Sequence, residues 1–505
     1  MKKICLHFIK NLKSEKRRFI FPFVFLAVLS YSIFAIDVIG NQSGEWNSEN
    51  NPYNMIGDIT VPANEILTIN AGVEVIVQGN YLFTVAGKLL SLGTEEDSIF
   101  IHSNSEGVNW NGIRLENEIE TSVFQHCRIE NAELAIKSVN SAVNIVNCTF
   151  FHNEKAIDIF GIGNQSNVLI QNCFISDCLQ NGIYIVENSN VQILNCEITR
   201  CALDESPRGA IMLSSQGGEC NPLICGNNIH HNVWQGITAW DITGGTNINP
   251  QIKQNEISYN LTGIYLYYAS GIVDSNYIHH NFVSGNPNSG AGIMVSGASS
   301  HPIFTHNEIT GNFTGFYITD NAIPNLGDLS NYCSDDDGEN QIYENIDESE
   351  NIWSVYNMSS QDIKAENNYW GTTNENEISQ TVFDGNDNPI FGIVDFEPLL
   401  SPSQVNENWI NKDFSLTNYP NPFRTFTKIS FNPINGKKDI IEINIYNSKG
   451  QRVKKFSIVP SEIDGKLSII WDGKDEFNKP LNSGIYFYQL RTGNFFETKK
   501  MIFVK

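Results

Sequence analysis

The sequence predicts an all-β protein in which one chain winds into a long solenoid of parallel strands and ends in a small β-sandwich. Three observations lead to this prediction. Short apolar strands recur every 21 to 31 residues through the middle of the chain, with no helical periodicity between them. Asn residues stand at fixed offsets around those strands. The last hundred residues change in both charge and strand pattern.

The N-terminal residues have the pattern of an export signal. Basic residues between positions 13 and 18 precede an apolar run over 19–34 that ends in "SIFA". We therefore predict a signal peptide over 1–35, cleaved after Ala35, and no transmembrane domain in the mature chain. A permanent membrane anchor is the alternative interpretation of the same run.

Eight consecutive units between residues 127 and 319 share one template. Two positions before a reference apolar residue stands Cys or Asn, and three positions after it stands Asn, Cys or Ala. A short strand such as "GIYL" at 263–266 follows. Each unit must stack on its neighbours to bury its strand, which predicts a solenoid over 36–403. The reference positions are Ile129, Phe150, Ile175, Ile198, Ile229, Ile257, Ile278 and Ile309.

Stacking places equivalent residues one strand spacing apart, roughly 4.8 Å, so identical residues become ladders. We predict Asn ladders that satisfy their own amides from coil to coil. The Gly before many strands is predicted to supply a backbone conformation that other residues resist. Cys residues share the Asn columns, and we interpret them as free, stacked thiols. Disulfides, including a local Cys220–Cys225 bond, are the alternative in an exported protein.

Charge excludes several partners of the solenoid region. Residues 36–403 hold nine Lys or Arg and forty-five Asp or Glu, a net charge of −36, whereas the whole chain carries −24. Such a surface repels nucleic acid, anionic membranes and polyanionic glycans unless cations intervene. We therefore predict no nucleic-acid partner.

The C-terminal region is predicted to be a separate Ig-like β-sandwich. A linker over 404–413 precedes about seven short strands within 414–505, separated by turn signals such as "NSKG". Strands of this length and spacing are typical of a small sandwich.

The motifs of the solenoid resemble those of a known family. The run "TVPANEILTINAGVEVIVQG", the segment "WNGIRL", the eight units and "NNYWGT" at 367–372 resemble right-handed parallel β-helix proteins of the pectin-lyase-like class. The resemblance covers about residues 40–400 and implies that fold. It implies no single activity, because the scaffold hosts lyases, hydrolases, adhesins and structural proteins.

The C-terminal motifs "YPNPF", "WDGKD" and "SGIYFYQL" resemble the sorting domain of type IX secretion substrates. This resemblance implies that the type IX secretion machinery is a partner. It also implies that the chain is secreted or attached to the outer-membrane surface of a Gram-negative bacterium. An ordinary Ig-like binding module is the alternative interpretation.

The outward-facing positions of the repeat supply the binding candidates. In each "GIxI" strand the apolar residues point inward, and the positions between them point out. Aromatic rings on such a rigid face suit stacking against sugar rings, although β-propensity alone also places Tyr in strands. The predicted carbohydrate-binding residues are Tyr184, Trp240, Tyr265, Tyr267 and Tyr317.

The same columns supply few catalytic candidates. Lyases acting on acidic sugars need cations, which are sparse here. The paired Asp and "GHG" segment of polygalacturonase-type hydrolases are missing from the repeats. The remaining carboxylate candidates are Asp158 with Asp177, or Asp241 beside Trp240.

Metal candidates are also sparse. The pairs His230–His231 and His279–His280 occupy equivalent turns two coils apart, about 10 Å, so we interpret them as solvated turn residues rather than zinc ligands. The loop at 333–344 approaches a calcium loop, with Asp335, Asp337 and Glu344 as ligands, but Cys333 replaces the first carboxylate. Calcium is the one cofactor that the sequence leaves open, with an acidic surface loop as its alternative.

Two functions follow from these features. The first is a non-catalytic exported protein that binds a polysaccharide, or another cell-surface glycan, through its rigid solenoid. The alternative is a polysaccharide lyase or glycoside hydrolase of the same fold. Binding without cleavage, measured on a panel of polysaccharides, separates the two.

Overall fold

The protein is represented by a computed structural model. The predicted signal peptide, except Ala35, and the predicted linker lie outside the described residues. The structure describes residues 35–103, 110–116, 120–161, 166–188, 190–204, 209–245, 247–282, 290–331, 333–347, 349–400, 417–419, 421, 423–431, 441–447, 452–458, 467–476, 479–492 and 495–504.

Residues 35–400 wind into a solenoid of parallel strands, as the repeat predicts. Each full coil contributes one strand to each of three faces, which we call the first, second and third face in chain order. The first face is a sheet of eleven parallel strands. Its strands are Gly44–Trp46, Ile66–Asn70, Lys88–Leu92, Ser122–Gln125, Val143–Val146, Val168–Gln171, Val191–Leu194, Leu223–Cys225, Gln251–Lys253, Ile272–Asp274 and Ile303–Thr305.

The second and third faces together form a sheet of 25 strands, because Ile36–Asn41 and Tyr53–Val61 extend across both faces. The second-face strands are Glu74–Val77, Ile99–Ser103, Cys127–Glu130, Thr149–Phe151, Phe174–Ser176, Glu197–Thr199, Asn228–His230, Glu256–Ser258, Tyr277–His279, Glu308–Thr310 and Gln341–Tyr343. The third-face strands are Leu82–Val85, Gly112–Glu116, Leu134–Val139, Lys155–Phe160, Ile183–Val186, Gly209–Ser215, Gln235–Asp241, Thr262–Tyr267, Ala291–Ser296, Thr314–Thr319, Val355–Asn357 and Val382–Phe383.

Short elements complete the solenoid region. Two 3-10 helices cover Ser48–Asn50 and Ser334–Asp336, and one α-helix covers Glu375–Ser379. Strands Ile363–Lys364 and Val394–Asp395 pair near the C-terminal end of the solenoid. No helix in the described part of the chain is long and apolar enough to cross a membrane.

The reference column forms the spine of the core. Ile229 pairs in register with Ile198 on the coil before it and with Ile257 on the coil after it. All three side chains are fully buried. Burying a side chain of this size stabilises the fold by about 1.5–3 kcal/mol, so the repeated apolar column supplies a large share of the driving force.

Two Asn ladders bracket the second face, as the sequence predicts. In the ladder before each second-face strand, each Nδ2 donates to the Oδ1 of the next Asn at 2.9 Å. The ladder after each strand has the same bonds at 2.9–3.0 Å. The first runs through Asn227, Asn255, Asn276, Asn307, Asn340 and Asn368, and the second through Asn232, Asn260, Asn281, Asn312 and Asn345.

The ladders extend one coil beyond the eight units found in the sequence. Ile342 is the ninth reference residue and pairs with Ile309. The loop that separates these two residues is longer than the others, which hides the unit from a search by spacing. Asn340 and Asn345 flank Ile342 at the expected offsets.

In most coils, the residue directly before a ladder Asn has a left-handed backbone conformation. Examples on the corner after the second face are His231, Tyr259 and His280, with φ of 55°, 55° and 52°. A non-Gly residue in this region is uncommon and costs free energy. The ladder hydrogen bonds hold the corner in this conformation, because each Asn side chain bonds backbone groups on neighbouring coils.

The predicted role of the Gly before the third-face strands of the repeat units is wrong, although Gly112, which begins the strand before those units, has a φ of +88°. Gly236 and Gly263 do not have left-handed backbone. A Cβ on Gly236 would lie 2.8 Å from the carbonyl oxygen of Gly263 and 2.9 Å from the Cγ2 of Ile257. Close approach between coils, and not an unusual φ, therefore requires Gly at this position.

The nine cysteines of the described residues are free, and the alternative Cys220–Cys225 disulfide is not formed. The backbone N–H of Cys127 donates to the Cys148 Sγ at 3.4 Å, as an Asn oxygen would accept in later coils. Burial raises the pKa of the Cys148 thiol well above its ordinary value. These thiols are therefore uncharged members of the ladders.

The C-terminal region forms a separate antiparallel arrangement of seven strands in a three-stranded and a four-stranded sheet, which matches the predicted small sandwich. Aromatic rings fill its core, with Phe423 against Phe503 at 4.9 Å and Trp471 against Tyr486 at 5.2 Å between centroids. Its strands are Thr417–Tyr419, Thr427–Phe431, Ile441–Asn447, Arg452–Ile458, Leu467–Trp471, Gly484–Thr492 and Phe495–Phe503.

Candidate functional site

The third face aligns the outward-facing residues of successive coils into columns. It divides into two parts. We call Arg114, Lys137, Lys155, Asp158 and Tyr184 the charged segment, and Trp240, Tyr265, Tyr267, Tyr268, Tyr317, Trp353, Tyr356 and Phe383 the aromatic segment. The main column reads Thr84, Arg114, Lys137, Asp158, Tyr184, Met212, Thr238, Tyr265, Met294, Tyr317, Tyr356 and Phe383.

One cluster of the aromatic segment lies on two adjacent coils. Trp240 pairs with Tyr267 in the sheet register, and their ring centroids lie 4.9 Å apart. Tyr265 completes the cluster, 6.4 Å from Trp240 and 6.2 Å from Tyr267. All three side chains are half-buried, so their rings present apolar surface to solvent while the strands hold them in place.

Tyr268 extends this cluster at the end of the strand. Its ring meets that of Tyr267 edge to face at 4.6 Å. Gly297 allows the ring to approach, because a Cβ at that position would lie 2.8 Å from the Tyr268 ring. Gly297 also has a φ of +100°, which L side chains rarely adopt. Tyr268 follows the strand Thr262–Tyr267 and so lies outside the pattern that predicts the other aromatic candidates.

A second aromatic cluster continues the column. Tyr317 stacks on Tyr356 at 5.8 Å, and Tyr356 stacks on Phe383 at 4.4 Å, with the rings within 11° of parallel. Trp353 meets Tyr356 edge to face at 5.3 Å. Only Tyr317 was found from the sequence, because long insertions separate the last third-face strands and break the spacing.

The hydroxyls of Tyr265 and Tyr317 keep their protons at physiological pH, because the pKa of each is raised. Burial raises the pKa of Tyr265 to about 12, against an opposing interaction with the Ser296 hydroxyl. Burial also raises the pKa of Tyr317. The Tyr317 hydroxyl lies 3.1 Å from the Met358 sulfur, and the Ser296 hydroxyl donates to Asp320. Each Tyr can therefore both stack and act as a hydrogen-bond donor.

The charged segment surrounds a buried carboxylate. The Asp158 Oδ2 lies 3.9 Å from the Lys137 Nζ and 3.8 Å from the Lys155 Nζ. The Lys155 Nζ also lies 4.9 Å from the centroid of the Tyr184 ring. Lys137 pairs with Arg114 in the sheet register on the other side. Three cations and two carboxylates, Asp158 and the Glu116 that pairs with Arg114, thus share neighbouring coils.

Asp158 is the one catalytic candidate with an unusual environment. Burial raises the pKa of its carboxyl group, and the charges of Lys137 and Lys155 oppose that shift. Its Oδ1 is buried and has no hydrogen-bond partner among the described residues. A carboxyl group of this kind can gain or lose a proton closer to neutral pH than an exposed Asp.

The other two catalytic candidates have structural partners. Arg200 donates to both carboxylate oxygens of Asp177, at 2.9 and 2.7 Å, and with the Ser176 hydroxyl it lowers the pKa of Asp177. The expected Asp158–Asp177 pairing is therefore replaced by Lys137 and Lys155 at Asp158 and by Arg200 at Asp177.

Asp241 organises the loop that follows its strand. Burial acts to raise the pKa of this carboxyl group, but hydrogen bonds from Thr243 and Asn247 lower it overall. The Thr243 hydroxyl donates at 2.6 Å and the Asn247 Nδ2 at 3.0 Å. These bonds occupy both carboxylate oxygens, so the geometry gives Asp241 the role of a loop anchor beside Trp240.

The histidine pairs lie on the corner after the second face. Tyr259 stands between the pairs and stacks on His231 at 4.8 Å and on His280 at 5.4 Å. Within each pair the two Nδ1 atoms are 2.8 Å apart. An aromatic ring thus separates the two pairs. The interpretation as solvated turn residues is wrong for His279, which is buried and, like His230, ends a second-face strand.

The calcium candidates do not form a ligand cluster in the described structure. Asp335 and Asp337 lie in and beside a 3-10 helix, whereas Glu344 lies in the turn after the next second-face strand. Among the described residues, no three His, Cys, Asp or Glu side chains are grouped so that they could hold a metal ion.

Comparison with known proteins identifies two families. Residues 111–249 match the model of the right-handed β-helix region, and residues 417–505 match the secretion system C-terminal sorting domain. The second match confirms the sorting domain predicted from the sequence and indicates export to the cell surface or the medium. No curated protein matches the chain.

The chain is similar to several solved structures. The A-module of a mannuronan C-5 epimerase from Azotobacter vinelandii is 12% identical, with 66% of this chain and 87% of that chain covered and a TM-score of 0.33. A tailspike capsular polysaccharide depolymerase from an Acinetobacter baumannii phage is 10% identical over 87% and 73%, with a TM-score of 0.34. An alginate lyase from a Paenibacillus species is 12% identical over 69% and 100%, with a TM-score of 0.24.

Proposed function

We propose that this right-handed parallel β-helix protein, which carries a C-terminal secretion sorting domain, binds carbohydrate through its aromatic segment and does not cleave it. The proposed route is type IX secretion, and the proposed location is the outer-membrane surface or surroundings of a Gram-negative bacterium. The observation that carries the binding proposal is the alignment of aromatic rings in two clusters of the third face, one on two consecutive coils and one on three, with the Met294 coil between them.

The geometry of the aromatic segment suits an extended sugar chain. Rings on adjacent coils repeat at the strand spacing of roughly 4.8 Å, along the axis of a rigid solenoid. Their half-buried faces offer flat apolar surface, and sugar rings have apolar faces of similar size. The ladders hold the strands before a ligand arrives, which lowers the entropic cost of binding.

Charge favours a neutral polysaccharide at the aromatic segment. Its main column from Thr238 to Phe383 contains no Lys or Arg, and neither does the described neighbouring column that includes Trp240 and Tyr267. The acidic region 36–403 repels polyanions in addition. A neutral chain meets no such barrier.

The test is incubation of the purified protein with neutral and acidic polysaccharides, with both retention and released product measured. We expect retention on at least one neutral polysaccharide and no product. The double variant Trp240→Ala/Tyr267→Ala should lose retention, whereas Phe426→Ala, which removes an exposed ring from the sorting domain, should keep it. Retention that survives the double variant would contradict the proposed surface.

The charged segment supports a second candidate function, the cleavage of an acidic polysaccharide. Arg114, Lys137 and Lys155 would neutralise a sugar carboxylate, and Asp158 would exchange a proton. This arrangement fits a lyase better than a hydrolase, because no second carboxylate of the described residues is paired with Asp158. Release of unsaturated product from an acidic polysaccharide, abolished by Asp158→Asn, would support this function and refute the non-catalytic one.

A further inference from the structure

A cavity of about 630 Å³ lies at the C-terminal coils, where its lining residues Ile352 and Ser354 flank Trp353 of the aromatic segment in the chain. The last second-face strand, Gln341–Tyr343, forms one wall. A second wall consists of the "YWGT" part of the motif at 367–372. A third consists of the helix Glu375–Ser379 and the residues that follow it. The volume is in the range of pockets that hold small ligands.

Three residues that line this cavity have a buried polar atom without a partner. They are the Gln341 Oε1, the Ser354 Oγ and the Trp370 Nε1, none of which has a hydrogen bond within the described structure. The three side chains are 5%, 1% and 4% exposed. A buried polar atom without a partner costs about 1–3 kcal/mol, so three such residues in one lining favour a polar occupant, which the three atoms would meet after their side chains turn toward the cavity.

Aromatic rings and carboxylates complete the lining. Tyr343 and Tyr369 lie 6.2 Å apart with their rings at 61°. Glu344 and Glu350 are exposed carboxylates at the rim. The lining residues include no Lys, Arg or His. The cavity therefore combines flat apolar surface with negative charge.

We propose that this cavity binds a saccharide unit that carries a free amine. The Trp370 N–H and the Ser354 hydroxyl would donate to sugar oxygens, and the Gln341 oxygen would accept from a sugar hydroxyl. Glu344 and Glu350 would attract the ammonium group, and the tyrosine rings would contact it through their faces. The same charges disfavour an acidic sugar.

The site differs from the aromatic segment in ligand charge, and it lies on later coils than the Trp240–Tyr267 cluster. A ligand bound to the aromatic segment needs no charge, whereas the cavity selects a cation. The two proposals can therefore fail separately, and the Trp240→Ala/Tyr267→Ala variant separates them.

The test is calorimetric titration of the full chain with three soluble oligosaccharides of matched length: glucosamine, N-acetylglucosamine and galacturonate. We expect the glucosamine oligomer to bind at least about 5-fold more tightly than its acetylated counterpart, and to weaken as salt is raised. The galacturonate oligomer should not bind. Equal affinity for the amine and the acetylated oligomer, or no binding of the amine, would overturn the proposal.

Variants locate the binding. Glu344→Gln removes one carboxylate from the rim and should weaken amine binding about 2- to 5-fold. Trp370→Phe keeps the ring but removes the N–H, and should weaken it about 3- to 10-fold. Glu375→Gln removes an exposed carboxylate of the same helix that does not line the cavity, and it should leave the affinity for the amine unchanged.

The outcomes of these variants all bear on the proposal. Glu344→Gln is an exposed substitution that leaves the core intact, so it decides the matter if Trp370→Phe does not fold. Unchanged amine binding in Glu344→Gln and Glu350→Gln would refute the cavity as the site. Binding that persists in Trp240→Ala/Tyr267→Ala would support it, and binding lost there would refute it.

Discussion

The charged and aromatic segments of the third face have the same backbone but different side chains. Both lie on parallel strands in continuous register, above apolar residues that are fully buried. In one, Lys137 and Lys155 surround Asp158, and in the other, Trp240 and Tyr267 pack ring to ring. This difference shows that the repeat constrains the residue type at the inward-facing positions, whereas the side chains at the outward-facing positions can differ in chemistry from one segment to the next.

The ladders beneath the two segments differ as well. In the coils of the charged segment the columns hold mainly Cys, such as Cys173 and Cys178, and in the coils of the aromatic segment they hold only Asn. An Asn side chain joins neighbouring coils by several hydrogen bonds, whereas a buried thiol mainly packs. We therefore expect the aromatic segment to rest on the more firmly bonded scaffold.

The largest expected effect tests that difference. Asn260→Ala removes two donated and two accepted hydrogen bonds at a fully buried position. It should lower the free energy of unfolding by about 3–5 kcal/mol, since buried partners lose their bonds. Cys178→Ala, at the equivalent position, should cost about 1–2 kcal/mol. Chemical denaturation of both variants measures the two values, and equal losses would contradict the comparison.

The second effect concerns the outer surface. Removing both rings in Trp240→Ala/Tyr267→Ala should weaken binding to a retained neutral oligosaccharide by at least about 10-fold, because each ring contributes about 0.5–1.5 kcal/mol or more. Lys137→Met, in the charged segment, should leave that affinity unchanged. Calorimetry on the soluble oligosaccharide measures both. Weakened binding in the lysine variant alone would move the site to the charged segment.

The third effect is a pH dependence that belongs to the charged segment. Burial raises the pKa of Asp158 in the folded state, so its contribution to stability is present below the ordinary Asp pKa. That contribution is lost as the pH rises through the raised value. Thermal unfolding from about pH 3 to pH 7 should show this loss, and Asp158→Asn should remove it. If the thermal stability of Asp158→Asn depends on pH in the same way as that of the natural chain, Asp158 stays charged over this pH range.

The smallest effect belongs to a corner below the aromatic segment. The hydrogen bond from His306 to Asp274, 3.0 Å long, raises the pKa of His306 and lowers that of Asp274. Its contribution is lost as the pH rises through the raised His306 pKa, and also as it falls through the lowered Asp274 pKa. Both groups are partly exposed, so the change is less than about 1 kcal/mol. In His306→Gln, the free energy of unfolding measured by denaturation should not show this loss near neutral and alkaline pH.

The interior of this protein could be read from the sequence because its repeat is nearly regular. The reference column, both Asn ladders, the stacked thiols and the seven-stranded C-terminal sandwich follow from spacing and residue type alone. The register of Trp240, Tyr265, Tyr267 and Tyr317 on one face follows from the same spacing. Their contact with carbohydrate stays a prediction, since an aligned ring specifies a position and not a ligand.

Only the tertiary structure decided the features that depend on insertions of variable length or on contacts between coils. Tyr356 and Phe383 join the aromatic column across loops that hide their spacing. Lys137 meets Asp158 because two adjacent strands bring them together, whereas Lys155 lies on the same strand as Asp158, and Gly236 is required by a neighbouring backbone. The Trp370 cavity arises where the last coils and a short helix meet. A periodic sequence specifies which residues stack, but the packing of irregular segments against that stack depends on three-dimensional contacts that no spacing encodes.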